Sequence, residues 1–327
     1  MNRRTFLRFS VSAAALPAAL RTAQAQAYPS HAITLVVPTA AGGAMDSVTR
    51  IIAERMRVLL GQAVVVENIS GANGNIGVGR VARAAPDGYT LIVGNWNSQV
   101  ANGALYTLQY DVSKDFEPIS LIASFPQLII ARPSMPADDL AGLIAWLKTN
   151  PGKASLGIPG VGSIAHVSGV FFQNTTGVHF QFVPYRGTPP AMEDLVAGRI
   201  DMMFDAPGPS LPQVSAGRIK AYAVMAGTRL AGAPEIPTVD EAGLPGFYFS
   251  LWFGLWAPKG TPKDVIARLN EAVVSTMAEP SIRQKIAERS MEIPPRAQQT
   301  PEALGAFHRA EIEKWWPIIR AAGIKGE

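Results

Sequence analysis

Short apolar runs alternate with longer amphipathic stretches along this chain, and that alternation limits the fold more than any other feature. Ile33 to Val37 (ITLVV) is a strand-like run ending at Pro38. Val48, Ile51, Ile52, Met56, Leu59 and Leu60 then recur at helical spacing, with Asp46, Arg50 and Arg55 on the other face. Val64–Val66 and Leu91–Val93 read as the next strands, and Ile200–Phe204, Ala221–Met225 and Trp252–Ala257 as later ones. Leu140–Leu147, Lys263–Met277 and Pro301–Ala322 read as helices, the second of them after a Thr261-Pro262 start signal. Strands alternating with helices of this length predict an α/β protein with largely parallel sheets. No linker is long enough to separate two independent domains. Two lobes would have to be joined by structured crossings, expected near Ser124–Arg132 and Ala221–Ala226.

The first 27 residues read as an export signal. Arg3, Arg4 and Arg8 precede an Ala-rich apolar stretch from Val11 to Leu20, and Ala23-Gln24-Ala25-Gln26-Ala27 offers small-x-small cleavage sites near Ala25 or Ala27. The paired arginines suit a twin-arginine signal, and the apolar run falls short of the ~20 residues of a membrane span. Removing this segment takes four of the 29 Lys+Arg and leaves 25 against 25 Asp+Glu. A neutral mature chain without basic runs argues against nucleic acid or anionic membrane as a partner, and no membrane insertion is expected after processing. Cysteine is absent, which excludes disulfides, thiolate catalysis and cysteine-held zinc.

Three glycine-rich turns each stand between an expected strand and an expected helix: Pro38–Asp46 (PTAAGGAMD), Gly71–Gly79 (GANGNIGVG) and Gly157–His166 (GIPGVGSIAH). Such a turn presents unpaired backbone N–H groups at the positive end of a helix dipole, and glycine lets an anion approach them closely. The middle turn has the wrong spacing for a dinucleotide fingerprint and does not open the first βαβ unit. No cofactor or metal is expected, since the four histidines (His31, His166, His179, His308) lack ligand spacing. Ser163 and His166 lie one helical turn apart without a nucleophile elbow or a third triad member, so a hydrolase is only a rival reading. Asn95, Trp96, Tyr185, Arg186 and Asp205 fall near expected strand ends, where open α/β sheets bind ligands.

Together these segments resemble a known family. Val37-Pro38-x-x-Ala41-Gly42-Gly43-x-x-Asp46, Val65-Val66-Glu67-Asn68, Pro86-Asp87-Gly88-Tyr89-Thr90, Gly160-x-Gly162-Ser163, Val183-Pro184-Tyr185-Arg186-Gly187, Phe204-Asp205 and Ala257-Pro258-x-Gly260-Thr261-Pro262 occur in the order found in the solute receptors of tripartite tricarboxylate transporters, the Bug family. The resemblance spans roughly residues 28 to 324 and implies a type II periplasmic-binding-protein fold, a two-lobe clamp with its ligand in the cleft. It places residues 28–125 and 226–327 in lobe 1 and 126–225 in lobe 2. It implies a periplasmic, non-catalytic receptor that captures a small organic acid for membrane transporter subunits, with a sensor receptor as the alternative.

Carried over by position, the resemblance puts Thr39, Ala41, Gly42, Gly43 and Asp46 on the first-lobe side of the ligand. Gly160, Gly162, Ser163, His166, Tyr185, Arg186, Gly187 and Asp205 stand on the second-lobe side. The position after Pro38 is commonly aromatic in the family and is Thr39 here. Asn95 and Trp96 are the remaining candidates, Trp96 as a substitute stacking surface for a flat acid.

Overall fold

The structure is a computed structural model that describes residues 28–325, so the expected signal segment lies outside the described residues. The chain opens with β1 (Ile33–Val37), α1 (Ala44–Leu60), β2 (Val64–Asn68), α2 (Asn75–Ala82), β3 (Thr90–Asn95), α3 (Asn102–Leu105) and β4 (Phe116–Pro126). It continues with β5 (Leu128–Ala131), α4 (Leu140–Thr149), β6 (Ser155–Ile158), α5 (Ile164–Thr176), β7 (Gln181–Pro184), α6 (Thr188–Val196), β8 (Met202–Asp205), α7 (Pro207–Ser215) and β9 (Lys220–Val224). It closes with β10 (Ser250–Pro258), α8 (Lys263–Ala278), α9 (Pro280–Ala287) and α10 (Pro301–Ala321).

Two five-stranded sheets result, in the orders β2-β1-β3-β10-β4 and β7-β6-β8-β5-β9. They share one plan. In each, three strands run parallel and the fourth position holds a reversed strand, β10 in the first sheet and β5 in the second. The sheets are therefore mixed rather than largely parallel. Each reversed strand is the one on which the chain enters from the other lobe, so its direction is set by the crossing. β1 is apolar except for Thr34 because helices cover both faces of its sheet, which is the pattern of a central parallel strand. α1 buries Val48, Ile52, Met56 and Leu60 along one stripe and stops at Gly61, whose φ of 67° forms a left-handed cap.

The crossings are paired. Gln127, between β4 and β5, donates its N–H to the Phe249 carbonyl (2.9 Å), Phe249 donates to Met225 (2.9 Å), and Met225 donates back to Gln127 (2.8 Å). This ring of three backbone hydrogen bonds ties both crossings and limits their shear. Of the stretch 226–249, placed with lobe 1 from sequence, Leu230, Ala233 and Ile236 pack into the core beneath the second sheet, and Val224 donates to the Pro237 carbonyl. Aromatic rings fill the adjoining space. Trp315 of α10 lies 4.6 Å from Phe249 and 5.8 Å from Phe171 of α5, and Trp96 meets it edge-on at 5.9 Å. Trp315 of α10 is thus a packing residue.

Candidate functional site

In both sheets the loops that follow the parallel strands gather at the strands' carboxyl ends, where open α/β sheets bind ligands. The β1–α1 turn leaves the first donors of its helix uncapped. Gly42 has φ of +84°, Gly43 is the N-cap without a side-chain bond, and Gly42, Gly43 and Ala44 line a cavity of about 330 Å³. The far wall of that cavity is the start of α7 in the second lobe, Ala206 to Pro209. Two helix N-termini, one from each lobe, thus bound the same space.

Asp46 stabilises the first turn from within. It is buried, accepts from the Gly42 N–H at 2.9 Å and from Arg50 Nε at 3.1 Å, and lies 3.0 Å from Arg50 Nη2. Burial alone would raise its pKa; the bonds from Arg50, Gly42 and Asn68 outweigh that and hold it below the usual carboxylate value. Its Oδ2 is spent on the loop, while Oδ1 lies beside Arg50 Nη2, buried and without a hydrogen-bond partner among the described residues. Asp46 therefore shapes the turn, and a ligand would meet backbone N–H groups here.

On the other side of the turn, Thr39, Asn73, Asn95 and Asn97 line a second cavity of about 270 Å³ with Ser70 and Ser98. Its wall is neutral and polar. Asn95 closes a reciprocal cap with Ser98, accepting from the Ser98 N–H at 2.9 Å while its own N–H reaches Ser98 Oγ at 3.0 Å. The Thr39 hydroxyl is buried with no hydrogen-bond partner among the described residues.

The third glycine turn repeats the device of the first. Gly162 has φ of +77° and donates its N–H to His166 Nδ1 at 3.1 Å. Ser163 is the N-cap of α5, its hydroxyl accepting from the His166 N–H at 3.3 Å. Burial lowers the His166 pKa, which keeps the imidazole neutral and able to accept. Ser163 and His166 are thus committed to capping, and no bond joins the hydroxyl to the imidazole nitrogen as a hydrolytic pair would require. Gly162 faces Leu105 of the first lobe so closely that an added Cβ would stand 2.6 Å from Leu105 Cδ1. Gly160 (φ +138°) has open space beside it.

The remaining candidates separate. Arg186 is exposed, and Gly187 (φ +103°) is the N-cap of α6 without a side-chain bond. The Tyr185 hydroxyl is instead donated to Asp194 at 2.8 Å, and its ring packs in the core of the second sheet. Asp205 ends β8, 6 % exposed, accepting from Ser210 Oγ at 3.0 Å. Burial pushes its pKa up to about 6 against the pull of the Ala206 N–H and Ser210. Trp96 is 1 % exposed against Trp315, so it is not the open stacking surface expected from sequence. It lines a separate cavity of about 180 Å³ at the crossing, beside Glu311 and Lys314. Ala41 is exposed in the first turn. Arg289, at the end of α9, lines the 330 Å³ cavity and is absent from the sequence-based candidates.

The receptor family model of tripartite tricarboxylate transporters matches residues 48–324. The chain belongs to this family. It is 39 % identical to an Agrobacterium vitis protein described as lying in the TAR-I ttuE-ttuC' intergenic region, over 99 % of this chain and 92 % of that one. It is 32 % identical to Protein BugT of Bordetella pertussis over 92 % of each. Among solved structures it is similar to MatC of Rhodopseudomonas palustris with bound malate (TM-score 0.77, 36 % identity, 89 % of this chain and 100 % of that one). A second R. palustris protein, with adipate, matches at TM-score 0.79 and 35 % identity over 91 % and 99 %. The family and fold are those of periplasmic solute-binding proteins. Among the described residues no helix is long and apolar enough to cross a membrane, and no group of three or more His, Asp or Glu is placed to hold a metal.

Proposed function

We propose that this receptor captures a small organic carboxylate between its lobes and presents it to the membrane subunits of a tripartite tricarboxylate-type transporter, catalysing nothing. One observation carries the reading: the start of α1, whose N-terminal donors no side chain caps, faces the start of α7 from the opposite lobe across a cavity of about 330 Å³, where Gly208 between Pro207 and Pro209 supplies the one N–H of that first turn. Backbone N–H groups at helix starts suit a carboxylate. A ligand that touches both lobes is held best when they close, which is how a clamp reports occupancy. The relatives that carry malate and adipate support the same ligand class. The dedication of Ser163 and His166 to capping supports a binding role over a hydrolytic one. The site of action follows as the periplasm, with the first 27 residues removed on export.

The test is thermal unfolding of the mature, ligand-stripped chain across small mono- and dicarboxylates, with uncharged amides as controls. A ligand at about 100 times its Kd adds about 2.7 kcal/mol, a rise of several degrees for a chain of this size. A rise with an acid and none with its full amide is the expected result. No rise across the panel would overturn the carboxylate reading.

A further inference from the structure

The largest charged surprise in the cleft is Arg289. Its guanidinium crosses from the end of α9 to the first turn of α1, where Nε donates to Ser47 Oγ at 2.9 Å, while Nη1 donates to the Lys285 carbonyl at 2.6 Å. These two bonds occupy Nε and Nη1. Nη2 has no partner among the described residues, and Arg289 forms part of the wall of the 330 Å³ cavity that Gly42, Ala44 and Pro207 also line. Glu288 lines the same cavity, but its carboxylate accepts from Gln284 Nε2 at 3.0 Å, one turn back along α9. Arg289 is therefore the one cationic side chain in this wall, and two bonds hold it in place before any ligand arrives.

We infer that Arg289 is a specificity-determining residue that selects acids with a second anionic group. One carboxylate sits against the backbone donors of the glycine turn, and the other accepts from Nη2 of the Arg289 guanidinium. This rests on the carboxylate reading above. The physical basis is that a planar guanidinium fixed at two of its nitrogens loses little freedom on binding, so a charge-assisted bond to it discriminates strongly. An uncharged amide in the same place cannot repay the guanidinium for the water it gives up. A second carboxylate, by contrast, also neutralises the arginine.

Calorimetric titration of the mature chain with succinate, malate, glutarate and adipate, each beside its half-amide, tests this. Wild type is expected to bind its best diacid about tenfold to a hundredfold more tightly than the half-amide. Arg289→Gln is expected to bring that ratio close to one, with the half-amide affinity little changed. Arg289→Lys keeps the charge without the fork and is expected to fall between. Equal binding of diacid and half-amide by wild type would overturn the assignment without any variant having to fold. A ratio unaltered in Arg289→Gln would overturn it as well. If no diacid or half-amide binds while another acid of the thermal panel does, the Arg289 assignment fails and the carboxylate reading stands; if no acid of either panel binds, the carboxylate reading itself fails.

Discussion

The two glycine turns that face the cleft solve one problem with different chemistry. In each, a glycine at positive φ donates its N–H to a side chain four residues ahead: Gly42 to Asp46 in the first lobe, Gly162 to His166 in the second. The first pin is a buried carboxylate balanced by Arg50, and the helix it opens has no side-chain cap. The second is a neutral imidazole, and its helix is already capped by Ser163. The first turn thus keeps more donors free for a ligand, while the second spends its own on rigidity and packs under Leu105. The difference indicates an unequal clamp: one lobe supplies donors, and the other supplies a fixed surface to close against.

The glycines themselves give the largest expected effect. Gly42→Ala meets nothing within 4 Å, so only the positive φ is penalised, about 1 kcal/mol. Gly162→Ala carries the same strain and adds a Cβ 2.6 Å from buried Leu105 Cδ1, for a loss of about 2–3 kcal/mol. Urea unfolding of the two variants measures the gap. Equal losses would mean that Leu105 yields freely and that the lobes do not press together at this point.

The pins come next. Asp46→Ala leaves the Gly42 N–H and the half-exposed Arg50 without their acceptor, a loss of about 2 kcal/mol. His166→Ala removes one neutral acceptor and an edge contact with Phe182, about 1 kcal/mol. If the order were reversed in the same unfolding measurement, the charged pin would not be the stronger of the two.

Both turns were legible in the sequence because everything that makes them is local: an apolar run, a glycine, then helical periodicity within a dozen residues. The pairing of glycine with the fourth residue ahead is equally local. What escaped was long-range. Strand direction leaves no mark in periodicity, so the reversal of β5 and β10 could not be read. Trp96 follows a strand end as a pocket residue would, yet its ring is taken by Trp315, more than 200 residues away. Tyr185 is drawn from the cleft by Asp194, on the next helix. Arg289 meets Ser47 across 242 residues of chain, and no spacing rule connects them. Local motif reading therefore finds the backbone donors of this cleft and misses the side chain that closes its wall.

Acid separates the turns by the smallest effect, through partial protonation of each pin. Asp46 has a lowered pKa, so its contribution is complete above the ordinary carboxylate value of 3.8 and is lost as pH falls through its folded value below that. His166 is also lowered, here by burial, from 6.5. Its unfolded form takes up a proton first, so its contribution is complete above 6.5 and declines as pH falls below it. Below pH 6.5 and above the carboxylate range only the second turn loses support, and as pH falls through its lowered folded pKa the imidazole takes up a proton and stops accepting from Gly162. Amide exchange, corrected for the intrinsic pH dependence, is then expected to show Gly162 losing protection in this window while Gly42 keeps it. In His166→Gln, whose side chain does not titrate, the Gly162 decline should flatten relative to wild type. Parallel decline of both amides in wild type would mean that the two turns open in one global event rather than each on its own pin.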